Sequence, residues 1–129
     1  VAILGTGIDL IEVERVRRAL ESPGVGERLR FRVFTEREVR YCESRGVARF
    51  QSYAARFAAK EAAMKALGTG WGRQAGWRDF EIVREAGKPP QIVLSGKAAA
   101  LARQRNIKTM HLSISHTVSY AIAYVIAEG

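Results

Sequence analysis

Cysteine is nearly absent from this chain of 129 residues, in which Cys42 stands alone. A lone thiol makes no disulfide within the chain, and without a second cysteine there is neither a zinc knuckle nor a dithiol redox pair. Cys42 reads as a small helix residue, and a reducing, cytoplasmic compartment is expected. No apolar run reaches transmembrane length. The first apolar stretch also lacks the basic leader and cleavage site of a signal peptide, so no membrane association is expected. The chain opens on Val1 rather than Met, and an initiator or short leader is expected to have been removed. Histidine occurs only as His111 and His116, and aspartate only as Asp9 and Asp79. Ser115 and His116 have opposite parity along a strand and no nucleophile elbow is present, so a hydrolase triad is not expected. Neither Gly5-Thr6-Gly7 nor Gly68-Thr69-Gly70 completes a dinucleotide fingerprint or a phosphate-binding loop of the NTPase kind.

Basic and apolar residues are what the chain does have. Lys and Arg number 21 against 13 Asp and Glu, a net charge of +8 that favours acidic partners: nucleic acid, an anionic membrane, a polyphosphate or an acidic protein. Apolar residues make up 47% of the chain, enough for one core, and residues 1–129 read as a single domain. Val1 to Leu10, apolar on both faces, suits a central buried strand. A basic helix follows over about Glu12 to Glu21, with Arg15, Arg17 and Arg18, and Pro23-Gly24 breaks it. Thr35-Glu36-Arg37-Glu38 is a capping box opening a short helix towards Glu43. The longest helix is expected over about Ala48 to Leu67, closed by Gly68. After it comes a Gly-rich loop from Gly68 to Gly76 with Trp71 and Arg73. Strands are then expected at Asp79 to Arg84 and Gln91 to Leu94, a helix around Lys97 to Gln104, and strands at Met110 to His116 and Tyr120 to Ile126. The order predicts an α+β fold, a largely antiparallel sheet packed against helices that include one long central helix.

In that long helix Phe50, Phe57 and Met64 form a narrow stripe at 100° per residue, and Glu61 falls inside it. A carboxylate facing the core needs a cation or hydrogen bonds. An i,i+4 pair with Lys65 contributes only about 0.2–0.5 kcal/mol, so an ion pair and an active-site role both stay open. Asp9 has two readings as well: Asp9-Leu10-Ile11-Glu12 fits a helix cap with a capping-box Glu, while a carboxylate at a strand end can face a site. Together Asp9 and Glu61 could give Mg²⁺ two oxygen ligands, the remainder coming from water and substrate phosphates. Lys60 and Lys65 lie on the two edges of the Glu61 direction, with Arg56 nearby. They are either a solvated face with buried stems or the cations of a phosphate site. His116 shares a side with Leu112 and Ile114, as a core histidine or as a phosphate contact at the strand end.

Taken in order, these segments resemble the holo-[acyl-carrier-protein] synthases, the small bacterial type of 4′-phosphopantetheinyl transferase. The residues that carry the likeness are Gly5-Thr6-Gly7-Ile8-Asp9 with Glu12 and Arg15, then Phe34 to Glu38. Arg56-Phe57-Ala58-Ala59-Lys60-Glu61-Ala62 follows, running on to Lys65 and Gly68-Thr69-Gly70. The last blocks are Asp79 to Ile82, Gly87-Lys88-Pro89, and Leu112 to Thr117. The resemblance covers nearly the whole chain. It implies the 4′-phosphopantetheinyl transferase fold and transfer of the 4′-phosphopantetheine arm of coenzyme A to a serine of an acidic acyl carrier protein. Adenosine 3′,5′-bisphosphate is released, and the pathway served is fatty acid or polyketide biosynthesis. It further implies that Asp9 and Glu61 bind Mg²⁺ and that Glu61, directly or through a metal-bound water, is the base for the serine. Lys65 would neutralise the departing bisphosphate. Arg56, Lys60 and His116 would bind coenzyme A phosphates, while Gly68 and Thr69 let the backbone approach the nucleotide. Arg15 corresponds to a carrier-docking position, extended by Arg18, Arg28 and Arg32. Thr117, where some members carry an acid, leaves His116 a phosphate contact rather than a base. Members form homotrimers with active sites between subunits, which would turn Glu61 towards an interface. The competing reading is a small basic α+β domain that binds nucleic acid. Aromatic residues are only 9% and no RNP-like aromatic pair marks a strand, so no nucleic-acid partner is expected.

Overall fold

Two small antiparallel sheets flank the long helix. In a computed structural model that describes residues 1–69 and 75–129, the elements run β1 (Ile3–Glu12), α1 (Val13–Glu21), α2 (Val25–Val33), α3 (Glu36–Glu43), α4 (Arg49–Leu67), β2 (Phe80–Val83), β3 (Gln91–Leu94), α5 (Gly96–Gln104), β4 (Thr109–His116) and β5 (Tyr120–Glu128). The expected α+β layout holds. The sheet divides into a three-stranded part in the order β1-β5-β4 and a separate β2-β3 hairpin. The Gly-rich segment with Gly70, Trp71 and Arg73 lies outside the described residues. Among the described residues no helix is long and apolar enough to cross a membrane.

Local chemistry fixes most element ends as expected. Thr35 caps α3 with both halves of its capping box formed: its side chain accepts from the Glu38 amide at 3.2 Å and its own amide donates to Glu38 Oε1 at 2.8 Å. Gly68 closes α4 in the left-handed region, φ 82°.

Three expectations are corrected. The first strand is an edge strand, not a central one; β5 is central. Its alternation buries Gly7 and half-buries Gly5, Asp9 and Ile11 on the helix side, while Ile8 and Leu10 face outward and are exposed. Asp9 is not a helix cap. The strand continues through it, Asp9 pairing with Ala123, and the helix begins after Glu12. The segment after Pro23-Gly24 is the helix α2, which the sequence reading left without structure.

A close backbone contact joins β1 to α4. A Cβ on Gly5 would sit 2.0 Å from the Ala66 carbonyl oxygen, and one on Gly7 1.9 Å from that of Ala62. Only hydrogen fits at either position, so strand and helix backbones meet directly. The helix itself is lined with Ala54, Ala55, Ala58, Ala59, Ala62, Ala63 and Ala66, all buried. Gly7→Ala is therefore expected to lower the unfolding free energy in urea by about 2–3 kcal/mol, the upper range for overpacking. Gly76→Ala, where a Cβ would meet nothing within 4 Å among the described residues, should stay within about 0.5 kcal/mol of wild type.

Candidate active site

Because alanines carry most of its burial, α4 is buried on almost every side. Phe57, Glu61 and Lys65, spaced i,i+4, form the accessible ridge of its C-terminal half. Glu61 is thus half-buried on this ridge rather than in a core-facing stripe, and the sequence expectation is corrected. The large side chains Phe50 and Met64 misled the periodicity, since small ones bury the rest.

The ridge faces the inner side of β1. Lys65 Nζ donates to the Ile8 carbonyl at 2.8 Å and approaches Asp9 Oδ1 at 3.4 Å. The Glu61 carboxyl is pushed up to about 7, by burial first and then by the charge and hydrogen bonding of Asp9, against the pull of Lys65 and Arg15. Asp9 and Glu61 line one cavity of about 400 Å³ together with Arg15, Leu20, Leu29 and Phe57. Among the described residues no cluster of three or more His, Cys, Asp or Glu could hold a metal. The site offers two hard oxygen donors, and a cation bound there would relieve the like-charge repulsion that raises Glu61. That donor set suits Mg²⁺, which keeps waters and completes its shell with phosphate oxygens.

The phosphate-binding expectations divide. Arg56 and His116 meet in a second cavity of about 740 Å³, with Arg45, Arg84, Tyr41 and Ser52 in its wall. Arg56 is only 6% exposed, lies 4.0 Å over the Tyr41 ring, and its Nε has no hydrogen-bond partner among the described residues. His116 is exposed, not a core histidine, and its Nδ1 lies 3.1 Å from Gln51 Oε1. Arg45 and Arg84 went unnoticed in the sequence because neither lies in a recognisable motif. Gly68 is exposed at the end of the ridge. Thr69 is buried beside it, and its hydroxyl has no partner among the described residues.

Lys60 does not join them. It is fully buried, its ammonium 2.8 Å from Glu38 Oε1 and donating to the carbonyls of Phe80 at 2.6 Å and Trp77 at 3.1 Å. With every donor taken and no exposed surface, Lys60 is withdrawn from the ligand contacts. Glu38, read in the sequence as a cap alone, also accepts from the Ile82 amide at 2.8 Å. The Trp77 ring stacks on Phe57 at 5.0 Å, so the buried pair steadies one wall of the smaller cavity.

On α1, Arg15 is exposed at the rim beside Asp9 and Glu61. Arg18 is 73% exposed and loosely paired with Glu14 at 3.4 Å, whereas Arg17 is engaged by both Glu14 and Glu21. Arg28 and Arg32 are exposed on α2 and line a further cavity of about 620 Å³ with Phe31.

The carboxylates and the buried guanidinium share no cavity. Arg56 and Glu61 are five residues apart, roughly 140° around α4, and among the described residues none lines both cavities.

Comparison with known proteins is consistent across methods. The family model of the 4′-phosphopantetheinyl transferase superfamily matches residues 5–125. The chain is 49% identical to the holo-[acyl-carrier-protein] synthase of Koribacter versatilis (strain Ellin345), over 98% of each chain. Its fold is similar to the crystal structure of the holo-[acyl-carrier-protein] synthase from Neisseria meningitidis, with a TM-score of 0.88 and 28% identity over 99% of this chain and 100% of that one. It is also similar to the Helicobacter pylori enzyme in complex with coenzyme A, with a TM-score of 0.82 and 28% identity over 95% and 99%.

Two outcomes follow for the isolated chain. Glu38→Gln and Lys60→Met each leave a buried group unpaired and should each cost about 3–5 kcal/mol in urea unfolding, while the double variant costs less than their sum. Glu61 binds its proton more tightly folded than unfolded. Between pH 4.5 and about 7 the native state therefore holds more protons, and stability falls as pH rises. With EDTA present the fall should be on the order of 1 kcal/mol after solvent screening. It should vanish in Glu61→Gln and be reversed by added Mg²⁺ at pH 7.5.

Proposed function

The chain belongs to the holo-[acyl-carrier-protein] synthases of the 4′-phosphopantetheinyl transferase superfamily, and from that premise we propose how its residues divide the work of the transfer. It moves the 4′-phosphopantetheine arm of coenzyme A to a serine of an apo acyl carrier protein and releases adenosine 3′,5′-bisphosphate. The relatives lend no support to nucleic-acid binding.

The reaction breaks a phosphoanhydride and forms a phosphodiester with the serine oxygen, so the protein must align two reactants and neutralise charge. Asp9 and Glu61 would hold Mg²⁺. That ion, when bound, supplies the charge that offsets the donor's pyrophosphate. Glu61, whose carboxyl is raised by burial and by Asp9, takes the proton of the serine hydroxyl. Lys65, positioned by the Ile8 carbonyl, sets an ammonium where the leaving phosphate gathers charge. Arg15 stands at the mouth of the smaller cavity and, with Arg18, meets the acidic carrier protein. The carrier is one of fatty acid or polyketide biosynthesis.

The observation that carries the finer reading is that one chain holds the site in two pieces. Arg56 and His116 open into the larger cavity and the carboxylate pair into the smaller one. A neighbouring chain that supplied one of the two sets would let coenzyme A phosphates meet both. The outward face of the larger sheet suits such a neighbour. Ile8 pairs with Tyr124 and Leu10 with Ile122, all four between 37% and 62% exposed, and Tyr120 extends the patch. Contiguous apolar surface of this kind marks an interface. We therefore place the active sites between copies of this chain, in a homotrimer.

Mass spectrometry of an apo carrier protein incubated with coenzyme A, Mg²⁺ and this chain should show addition of the phosphopantetheine group, abolished by EDTA. Glu61→Gln and Asp9→Asn should each lose at least about 100-fold in kcat/KM, or some 3 kcal/mol of transition-state stabilisation. Retained activity in Glu61→Gln would overturn the ligand set. Mixing inactive Glu61→Gln chains with inactive Arg56→Ala chains should restore part of the activity. No recovery on mixing, together with a monomer by sedimentation at working concentration, would sink the shared site.

A further inference from the structure

We propose that Arg105 contacts a phosphate of the donor nucleotide, an inference that rests on the reading above. Gly68 lies seven residues beyond Glu61, two helical turns and about 10 Å along the same face of α4, with Lys65 between them. Its left-handed backbone, φ 82°, leaves it without a side chain at the end of the exposed ridge. The space over it is taken by a guanidinium. A Cβ on Gly68 would lie 2.5 Å from Arg105 Nη1 and 3.5 Å from its Cζ. The ridge therefore runs from the carboxylate pair past the Lys65 ammonium to a second cation.

Among the described residues Arg105 is not spent on the fold. An arginine at a helix end commonly caps the last carbonyls, yet backbone amides already close α4, the Gly68 and Thr69 amides both donating to Met64 O. Among the described residues the Arg105 side chain makes no hydrogen bond or ion pair. It is exposed and follows α5 directly, where its own amide donates to Leu101 O and Asn106 turns the chain with φ 60°. An open guanidinium fork held against bare backbone matches the two-oxygen face of a phosphate. The departing nucleotide carries phosphates at its 3′ and 5′ positions, and Gly68 is where its backbone approach is expected.

Calorimetric titration of the full chain with adenosine 3′,5′-bisphosphate, and separately with adenosine 5′-monophosphate, tests this. Arg105→Ala should weaken bisphosphate binding about ten-fold, and Arg105→Lys should recover part of the loss. Arg103→Ala, an exposed arginine of α5, should stay within about two-fold. The KM for coenzyme A should rise in parallel with little change in kcat, and Arg105→Ala should melt at the wild-type temperature. A loss confined to the bisphosphate assigns the contact to the 3′-phosphate, and a loss with both ligands assigns it to the 5′-phosphate. If wild type binds and Arg105→Ala binds both ligands equally well, the assignment is wrong. If wild type binds neither nucleotide, the underlying functional reading fails instead.

Discussion

Everything in this molecule turns on two missing side chains. At Gly5 and Gly7 the first strand presents bare backbone to the carbonyls of Ala66 and Ala62. Any methyl group there would lift α4 away. Because side chains alternate along a strand, the next residue on that face after Gly7 is Asp9. Because the helix rests at this depth, the residue just before Ala62, Glu61, comes alongside it, and Lys65 one turn later reaches the Ile8 carbonyl. The carboxylate pair is thus a consequence of backbone-to-backbone packing and needs no loop to assemble it. Sites carried on rigid elements hold their geometry better than sites on loops.

The far side of the helix is held by the opposite strategy, a charge with no access to water. Burying Lys60 and Glu38 is costly, and such a pair persists only when its remaining donors and acceptors are satisfied. Here they are: the ammonium has the Phe80 and Trp77 carbonyls, and the carboxylate has the Thr35 and Ile82 amides. The pair thereby ties α3, α4 and β2 into one unit. It reaches the site through Trp77, whose ring stacks on Phe57 beside Glu61, and through Phe34, whose ring lies 5.9 Å from the Lys60 ammonium in the wall of the same cavity. A charged residue next to the Glu61 carboxylate in sequence can act entirely by positioning.

These two devices explain what the sequence disclosed and what it hid. Capping chemistry is local, so Thr35-Glu38 and Gly68 could be read directly, as could the order of the strands and of the helices other than α2. Glu61 stood out as a candidate through its neighbours in a family block and through its place in an apolar stripe. Its own periodicity pointed into the core, because alanines rather than large residues bury this helix. Asp9 carried a genuine local capping pattern, and pairing with Ala123 across the sheet overrode it. Lys60 read as a solvated or phosphate-binding cation because its partner lies 22 positions away in a different helix. The helix α2 was missed since Pro23-Gly24 reads as a break. What admits the turn is Gly26, where a Cβ would lie 1.9 Å from the Leu20 carbonyl oxygen.

The reading of β1 as a buried central strand failed for a reason that bears on function. A strand apolar on both faces is expected to be covered on both. In one chain α4 covers the Gly7 and Asp9 face, and the Ile8 and Leu10 face stays open. Ile8 and Leu10 are the immediate neighbours of Asp9. Whatever covers them must bring its surface to within a residue's width of the carboxylate pair. A second copy docked on that patch therefore cannot be remote from the chemistry. It would bury the apolar face and line the edge of the active site in one step, so assembly and catalysis would be a single structural requirement.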